Sequence, residues 1–325
     1  MKILIVKLSS LGDVVHTMPA VQDIRAAMPQ ADIDWVVEKA FAPLVARCAG
    51  ANKVIACELR RWRKSPLGAQ TRSEWRAFRD ELRSPTYDAV IDLQGLTKSA
   101  LVARAARLAD GGKRFALANQ TEGSSYEAPT RWVADVAIRI EPRVHAVMRS
   151  REMCAKALGY ELAGAPKYGL RAERPAANDS LNPCVALIHG TSRTDKLWPE
   201  ANWIELGRRL IAQGFTLGLP HGSDEERQRS EAIAIAFDGK AAVWPRLDLG
   251  SLTDRLAGCA GAIGVDSGLS HIAVALDLPH VQVYNFDTAW RTGPIGSRRQ
   301  VSVFTQPTPS IDAVWNAWQQ ASAAR

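Results

Sequence analysis

Lys7-Leu8-Ser9-Ser10-Leu11-Gly12-Asp13 sets two hydroxyls, a glycine and a carboxylate after the apolar run Ile3-Leu4-Ile5-Val6. The run reads as a short buried strand and Val14 to Met28 as the first helix, so Asp13 falls on a strand-to-helix turn. In open α/β sheets such turns, beyond the carboxyl ends of the strands, hold ligands. Asp13 therefore stands at the mouth of a cleft or, in the plainer alternative, caps the helix, which aspartate does well. Two further turns of this kind lie in the second half. His189-Gly190-Thr191-Ser192-Arg193-Thr194-Asp195-Lys196 follows an apolar run with small residues, hydroxyls and two cations, and Asp266-Ser267-Gly268-Leu269-Ser270-His271 follows another. Both suit a nucleotide diphosphate, because free N–H groups and the dipole at a helix N-terminus attract phosphate. The plainer alternatives are a polar loop with a solvated lysine for the first, and a helix cap with a structural His271 for the second. A fourth candidate, Arg60-Arg61-Trp62-Arg63-Lys64, groups four cations around one tryptophan. It suits an anionic glycolipid, a membrane surface or RNA, or is a solvated basic face.

These residues need strands and helices to hold them. In the first half, Ile33–Val37, Lys53–Cys57 and Ala89–Leu93 read as strands, alternating with helices over Phe41–Cys48, Gln70–Leu82 and from Gln94 to about Leu108. Asp92 ends its strand, where it caps a turn and lines the same cleft. Asp32-Ile33-Asp34 alternates within a strand and reads as a solvated strand edge, not a metal site. Gly111–Pro142 gives no clear pattern, with Ala118–Thr130 polar and Gly-rich like a mobile loop, and a helix from about His145 to Leu158 closes the half. Residues 160–182, with Gly164-Ala165-Pro166, Arg174-Pro175 and Asn182-Pro183, have linker composition. In the second half, Cys184–Ile188, Phe215–Leu219, Ala241–Val243, Ala262–Val265 and Val281–Tyr284 read as strands between helices, and a last helix spans about Ile311–Ala323. The alternation predicts parallel sheets covered on both faces. Two doubly wound domains, 1–165 and 166–325, are expected to face each other across a cleft, and the last helix could pack back on the N-terminal domain.

Composition narrows the classes. Hydrophobic residues make up 46% and charged residues 23% of the 325, as in soluble globular proteins. The five cysteines are scattered and form no C-x-x-C pair, which argues against a disulfide framework or zinc site and for a reducing compartment. There is no signal-peptide pattern and no run of the ~20 apolar residues that span a bilayer. The chain is expected in the cytosol or on the cytosolic face of a membrane. Its net charge of +7 is segregated: residues 1–165 carry 25 Lys and Arg against 18 Asp and Glu, and residues 166–325 carry 16 against 16. The N-terminal half is therefore built to meet something acidic. Neither G-x-G-x-x-G nor G-x-x-x-x-G-K-[ST] is present, which counts against dinucleotide-binding and P-loop proteins.

In combination these motifs resemble one family. The opening Lys2-to-Ala20 stretch is similar to the N-terminus of the bacterial lipopolysaccharide heptosyltransferases. The likeness continues through Arg60–Lys64, Tyr87–Asp92, Gln94-Gly95-Leu96, Thr191–Lys196 with Trp198-Pro199, and Val265–His271. It covers nearly the whole chain and is nearer to the enzymes that add the first heptose than to those that add the second. The resemblance implies two Rossmann-like domains in the GT-B arrangement, an inverting transfer with no metal or other cofactor, ADP-L-glycero-D-manno-heptose as donor and the Kdo sugar of Kdo2-lipid A as acceptor. It implies Asp13 as general base and Thr191, Ser192, Lys196, Asp266, Ser267, Gly268 and His271 at the donor, with Glu225 or Glu226 near the nucleoside. Lys7, Ser9, Ser10, Arg60, Arg61, Arg63 and Lys64 fall to the acceptor. The chain departs from the family after Tyr284, reading Asn285-Phe286-Asp287-Thr288-Ala289-Trp290 where a glycine and a Pro-Thr-Asp-Pro-like loop are expected. A monomer on the cytosolic face of the inner membrane, meeting its anionic surface and no nucleic acid, is expected. The alternatives are an enzyme adding the second core heptose and a non-enzymatic nucleic-acid or membrane binder. The last leaves Asp13 and both phosphate turns unexplained.

Overall fold

The computed structural model describes residues 1–173 and 183–324. Arg174, Pro175 and Asn182 of the expected linker lie outside the described residues. Two compact units divide at Leu170 and Arg171. The first begins with β1 (Lys2–Val6), α1 (Leu11–Val15), α2 (Met18–Ala27), β2 (Asp32–Glu38), α3 (Ala42–Val45), β3 (Lys53–Cys57) and α4 (Leu59–Trp62). It continues with α5 (Ala69–Arg83), β4 (Tyr87–Asp92), α6 (Thr97–Ala105), β5 (Leu108–Leu117), α7 (Pro129–Val133), β6 (Val136–Ile138) and α8 (Ala146–Leu158). The second holds β7 (Cys184–Ile188), α9 (Glu200–Ala212), β8 (Thr216–Leu219), α10 (Asp224–Ile235), β9 (Ala241–Val243) and α11 (Leu249–Ala257). After them come β10 (Gly261–Val265), α12 (Gly268–Ala275), β11 (His280–Tyr284), α13 (Ala289–Thr292), β12 (Gln300–Phe304) and α14 (Ile311–Ala323).

The first sheet runs β3-β2-β1-β4-β5-β6 and the second, taken from its other edge, β9-β8-β7-β10-β11-β12. All neighbours are parallel. Each is thus a doubly wound Rossmann sheet whose strand order reverses between its first and fourth strands, at β1/β4 and at β7/β10, and ligands bind beyond the carboxyl ends there. The central strands are continuous apolar runs because helices cover both faces, and Ile3 to Val6 and Val185 to Leu187 are fully buried. Among the described residues no helix is long and apolar enough to cross a membrane.

Three local expectations need correcting. The helix read over Val14–Met28 divides into α1 and α2, because Pro19 in the first turn of α2 has no N–H to continue the ladder. The helix read to Leu108 stops at Ala105, and Leu108 opens β5. Gly111 and Gly112 disrupt the pattern of that strand: Gly111 has φ +76°, the β4–β5 register shifts between Tyr87 and Ala89, and a Cβ on Gly112 would lie 2.6 Å from the Tyr87 carbonyl. Asp34 does not sit on a solvated edge. It is buried in a central strand, where the Tyr87 hydroxyl donates to it at 2.9 Å and Lys2 Nζ lies 3.2 Å away. Helix α14 buries Val314, Ala317, Trp318 and Ala321 in the core of the second unit, with Ile263, Val281 and Val283. Ser310 starts it by accepting from the Ala313 N–H.

Candidate active site

In the first unit the β1 and β4 turns are tied together. The Gln94 side-chain oxygen accepts from the N–H groups of Leu8 and Ser9, each at 3.1 Å. Lys7, only 2% exposed, donates from Nζ to the Leu93 carbonyl at 3.0 Å. Asp13 sits in the first turn of α1 and divides its two oxygens between two tasks. Oδ2 accepts from the Ser10 N–H at 3.2 Å and the Ser10 hydroxyl at 3.0 Å, in the manner of a capping box. Oδ1 faces two cations, Lys7 Nζ at 3.5 Å and Arg149 Nη2 at 3.3 Å. The capping reading of Asp13 therefore describes one oxygen, while the other is held against two cations. The side chain keeps 32% exposure although polar groups crowd it. Burial raises the cost of its charge, but Lys7, Arg149 and His16 outweigh that and hold the carboxyl well below its usual range. Burial in turn pushes the Lys7 ammonium down, with Asp13 and Asp92 opposing and Arg149 reinforcing.

Arg149 was not legible from its neighbourhood in the chain. It lies inside the buried stripe of α8, and its other nitrogen, Nη1, donates to Thr121 Oγ1 at 3.1 Å. Thr121 belongs to the 118–130 stretch read as a mobile loop. That stretch is internally bonded: the Tyr126 hydroxyl donates to the Ala118 carbonyl at 3.0 Å and Gln120 Nε2 to the Ser124 carbonyl at 3.0 Å.

The basic cluster lies at the carboxyl end of β3, where the Arg60 N–H donates to Glu38 Oε1 at 3.2 Å. Its members differ. Arg60, Arg63 and Lys64 are exposed, whereas the Arg61 guanidinium is engaged by both Glu58 and Glu74. Trp62 is buried against Trp75 and Phe78, with its Nε1 donating to Glu74 at 2.8 Å, so the tryptophan packs the core and offers no face to a ligand. Among the acceptor candidates on the first turn, Lys7 and Ser9 are buried and Ser10 is exposed.

The second unit repeats the arrangement at β7/β10. Asp266 directly follows β10 and is 6% exposed, and Lys196 Nζ donates to its Oδ2 at 2.5 Å. Its Oδ1 is approached by His271 Nε2 at 3.6 Å, Thr292 Oγ1 at 3.4 Å and Gln282 Nε2 at 3.5 Å. Burial raises this carboxyl, but His271, Lys196 and Arg291 together hold it below the ordinary value. Thr191 Oγ1 donates to the Asp266 carbonyl at 3.3 Å, closing one turn onto the other, and Ser192 is exposed beside it. Ser267 is the N-cap of α12, with Gly268 its first residue. Of the two glutamates at the start of α10, Glu225 is exposed, whereas Glu226 accepts from the Gly222 N–H at 2.7 Å. A Cβ on Gly190 would fall 2.5 Å from Glu226 Oε1, so glycine there lets the carboxylate lie against the β7 turn. Asn285, after β11, braces the same turn: its Nδ2 donates to the carbonyls of Asp195 and Leu197 at 3.0 and 2.9 Å, clamping the turn that carries Lys196. Among the described residues no group of three His, Cys, Asp or Glu side chains is arranged to hold a metal ion.

The profile of glycosyltransferase family 9 (heptosyltransferase) matches residues 75–314. The chain belongs to this family. It is 39% identical over 308 residues to the lipopolysaccharide heptosyltransferase 1 of Pseudomonas aeruginosa, covering 93% of this chain and 83% of that one. Its fold is similar to the E. coli heptosyltransferase WaaC solved with ADP, at TM-score 0.87, 32% identity and 99% and 100% coverage of the two chains. The same enzyme with ADP-2-deoxy-2-fluoro heptose matches at TM-score 0.82 and 34% identity, covering 97% of this chain and 98% of that one. The protein is thus a glycosyltransferase of two parallel-sheet α/β domains, like the GT-B enzymes it matches.

One buried group of this transferase gives a pH signature. Burial pushes the Asp92 carboxyl up to about 6, although the Gln94 N–H, the Ser99 hydroxyl, the Gly95 N–H and Lys7 favour its anion. Folding therefore favours the protonated acid. Its contribution to stability is full below the ordinary value of 3.8 and is lost as pH rises through about 6. Asp92→Asn can keep the bonds to Gln94, Gly95 and Ser99 without the charge. Urea unfolding at a series of pH values should show wild type losing roughly 3 kcal/mol relative to this variant between pH of about 4 and 7. Parallel curves would contradict the assignment.

Proposed function

We propose that this transferase moves L-glycero-D-manno-heptose from ADP-L-glycero-D-manno-heptose to the Kdo sugar of Kdo2-lipid A, the first heptose transfer of lipopolysaccharide core synthesis. The observation that carries this reading is Asp13. It is an anionic, partly exposed carboxylate on the β1/β4 switch point of a chain related throughout to heptosyltransferase 1. Transfer is a single displacement with inversion. The acceptor oxygen bonds to the anomeric carbon as the bond to ADP breaks, the electron pair leaves with the diphosphate, and the hydroxyl proton passes to Asp13. Lys7 and Arg149 make Asp13 a weak base but keep it charged and aimed. Such a base suits a transition state in which the attacking hydroxyl has already become acidic. Lys7, being buried, acts through Asp13, and Ser10 is the member of the turn open to the acceptor.

In the second domain Lys196, the hydroxyls of Thr191 and Ser192, and the N–H groups of Ser267 and Gly268 stabilise the charge that develops on ADP, with no metal required. Asp266 and His271 orient Lys196, and Glu226, in preference to Glu225, meets the nucleoside. Arg60, Arg63 and Lys64 bind Kdo carboxylates or lipid A phosphates, since guanidinium forks fit such anions. The enzyme works as a monomer on the cytosolic face of the inner membrane. Alanine at Arg60, Arg63 and Lys64 together should raise the acceptor KM far more than the donor KM. Arg61→Ala should do less, because Glu58 and Glu74 already occupy it. Equal effects on both substrates in steady-state kinetics would refute the acceptor assignment. The reading itself is tested by heptose transfer to Kdo2-lipid A in the presence of chelator, with the anomeric configuration of the product read by NMR.

A further inference from the structure

Helices α5, α6 and α7 pack side by side over one face of the first sheet, with Phe78, Leu82, Val102 and Ala103 turned into the core. Their outer surface is basic. Arg72, Arg76, Arg79 and Arg83 are all exposed on α5. At 100° per residue they fall within an arc of about 60°, so they form one stripe along the helix. The carboxylates Glu74 and Glu81 lie on the other flank and are occupied there, Glu74 by Arg61 and Trp62 and Glu81 by Lys53 at 3.1 Å. Asp80, 3.8 Å from Arg79, is the acid on the stripe side. The stripe runs on into α6. Arg83 Nη1 donates to the Ala105 carbonyl and Arg107 Nη1 to the Arg83 carbonyl, each at 3.3 Å, and Arg104 is exposed one turn earlier.

Large apolar side chains stand out of this same basic layer. Leu67 ahead of α5 is 83% exposed, Leu101 on α6 60% and Trp132 on α7, beside exposed Arg131, 72%. Cations alone would suit nucleic acid as well as lipid. Isolated leucines and a tryptophan among them suit a bilayer, where tryptophan lies at the headgroup level and leucine enters the acyl boundary.

We propose that the outer face of α5, α6 and α7 is the surface on which this enzyme docks on an anionic phospholipid bilayer, separately from the Arg60–Lys64 cluster that binds the acceptor. The proposal rests on the lipid-linked acceptor of the reading above. It is tested with the full chain and vesicles of phosphatidylethanolamine and phosphatidylglycerol containing no Kdo2-lipid A. Wild type should float with these vesicles and not with phosphatidylcholine alone. Arg72→Gln, Arg76→Gln and Arg79→Gln combined should lower partitioning about 10²-fold, from about 1 kcal/mol per cation near an anionic surface. Leu101→Ser with Trp132→Ser should lower it as well. Both variants should keep the wild-type unfolding midpoint and the wild-type kcat on a water-soluble, deacylated Kdo acceptor. Undiminished vesicle binding by the arginine variant, or tighter wild-type binding to RNA than to the vesicles at equal salt, would overturn the proposal. If wild type fails to glycosylate the soluble acceptor, the transfer reading falls, and the vesicle comparison still decides the docking surface.

Discussion

Asp13→Ala is expected to lower kcat about 10²–10⁴-fold, the usual contribution of one positioned base, while leaving the donor KM near wild type. Asp13→Asn should fall nearly as far, and that comparison isolates the cause. Asparagine can still accept from the Ser10 N–H, so the start of α1 survives, but it can neither take a proton nor balance Lys7 and Arg149. Alanine loses the cap too, at about 1 kcal/mol of stability. A variant that loses only stability, with kcat intact in stopped assays of ADP release, would return Asp13 to the capping role alone. Because neighbouring cations hold the carboxyl well below its usual range, Asp13 should impose no acid limb on kcat near neutral pH.

The second large effect is expected at Lys196. Its ammonium is the cation on the β7 turn closest to Asp266, and losing one such stabiliser of a leaving anion typically costs about 10²–10³-fold in kcat. Stability falls as well. Both partners are largely buried, and breaking a buried pair costs up to about 3–5 kcal/mol; His271 and Arg291 still compensate Asp266 in part, so the loss should fall below that figure. The two losses separate in a double variant: Lys196→Ala with Asp266→Asn should recover much of the unfolding free energy and none of the activity. The pH dependence follows from the lowered Asp266 carboxyl. Its contribution is present above its unfolded pKa and is lost as pH falls through the folded value, so Lys196→Ala should bring acid unfolding to a higher pH. Recovery of turnover in the double variant would mean that Lys196 serves only to neutralise Asp266.

Local signals in the chain were enough for the scaffold. The apolar runs at β1, β4, β7 and β10 stand out because both faces of a parallel sheet are covered, and the polar residues that end them mark the two switch points. That is why Asp13, Lys196 and Asp266 could be singled out before the fold was known. Partners supplied from far along the chain could not. Arg149 stands 136 residues from Asp13 and looks like any arginine in an amphipathic helix until α8 packs beside the β1 turn. The roles of Asn285 and Thr292 were hidden for the same reason, since their partners Asp195 and Asp266 lie 90 and 26 residues away. Strand β12 is a half-exposed edge strand and gives no continuous apolar run. Composition also misdescribed the basic cluster, since it cannot show that Arg61 is already paired and Trp62 already packed.

Passage of a heptose from ADP-heptose to the Kdo sugar leaves ADP as the second product. ADP release should therefore be measured for wild type and Asp13→Asn with Kdo2-lipid A and, separately, with the once-heptosylated core. Wild type should release ADP in a manner that depends on Kdo2-lipid A and is nearly absent with the heptosylated acceptor, and release should collapse in the variant. Release with the heptosylated core alone would make this the enzyme of the second transfer, and release unaffected by Asp13→Asn would contradict the mechanism built on that carboxylate.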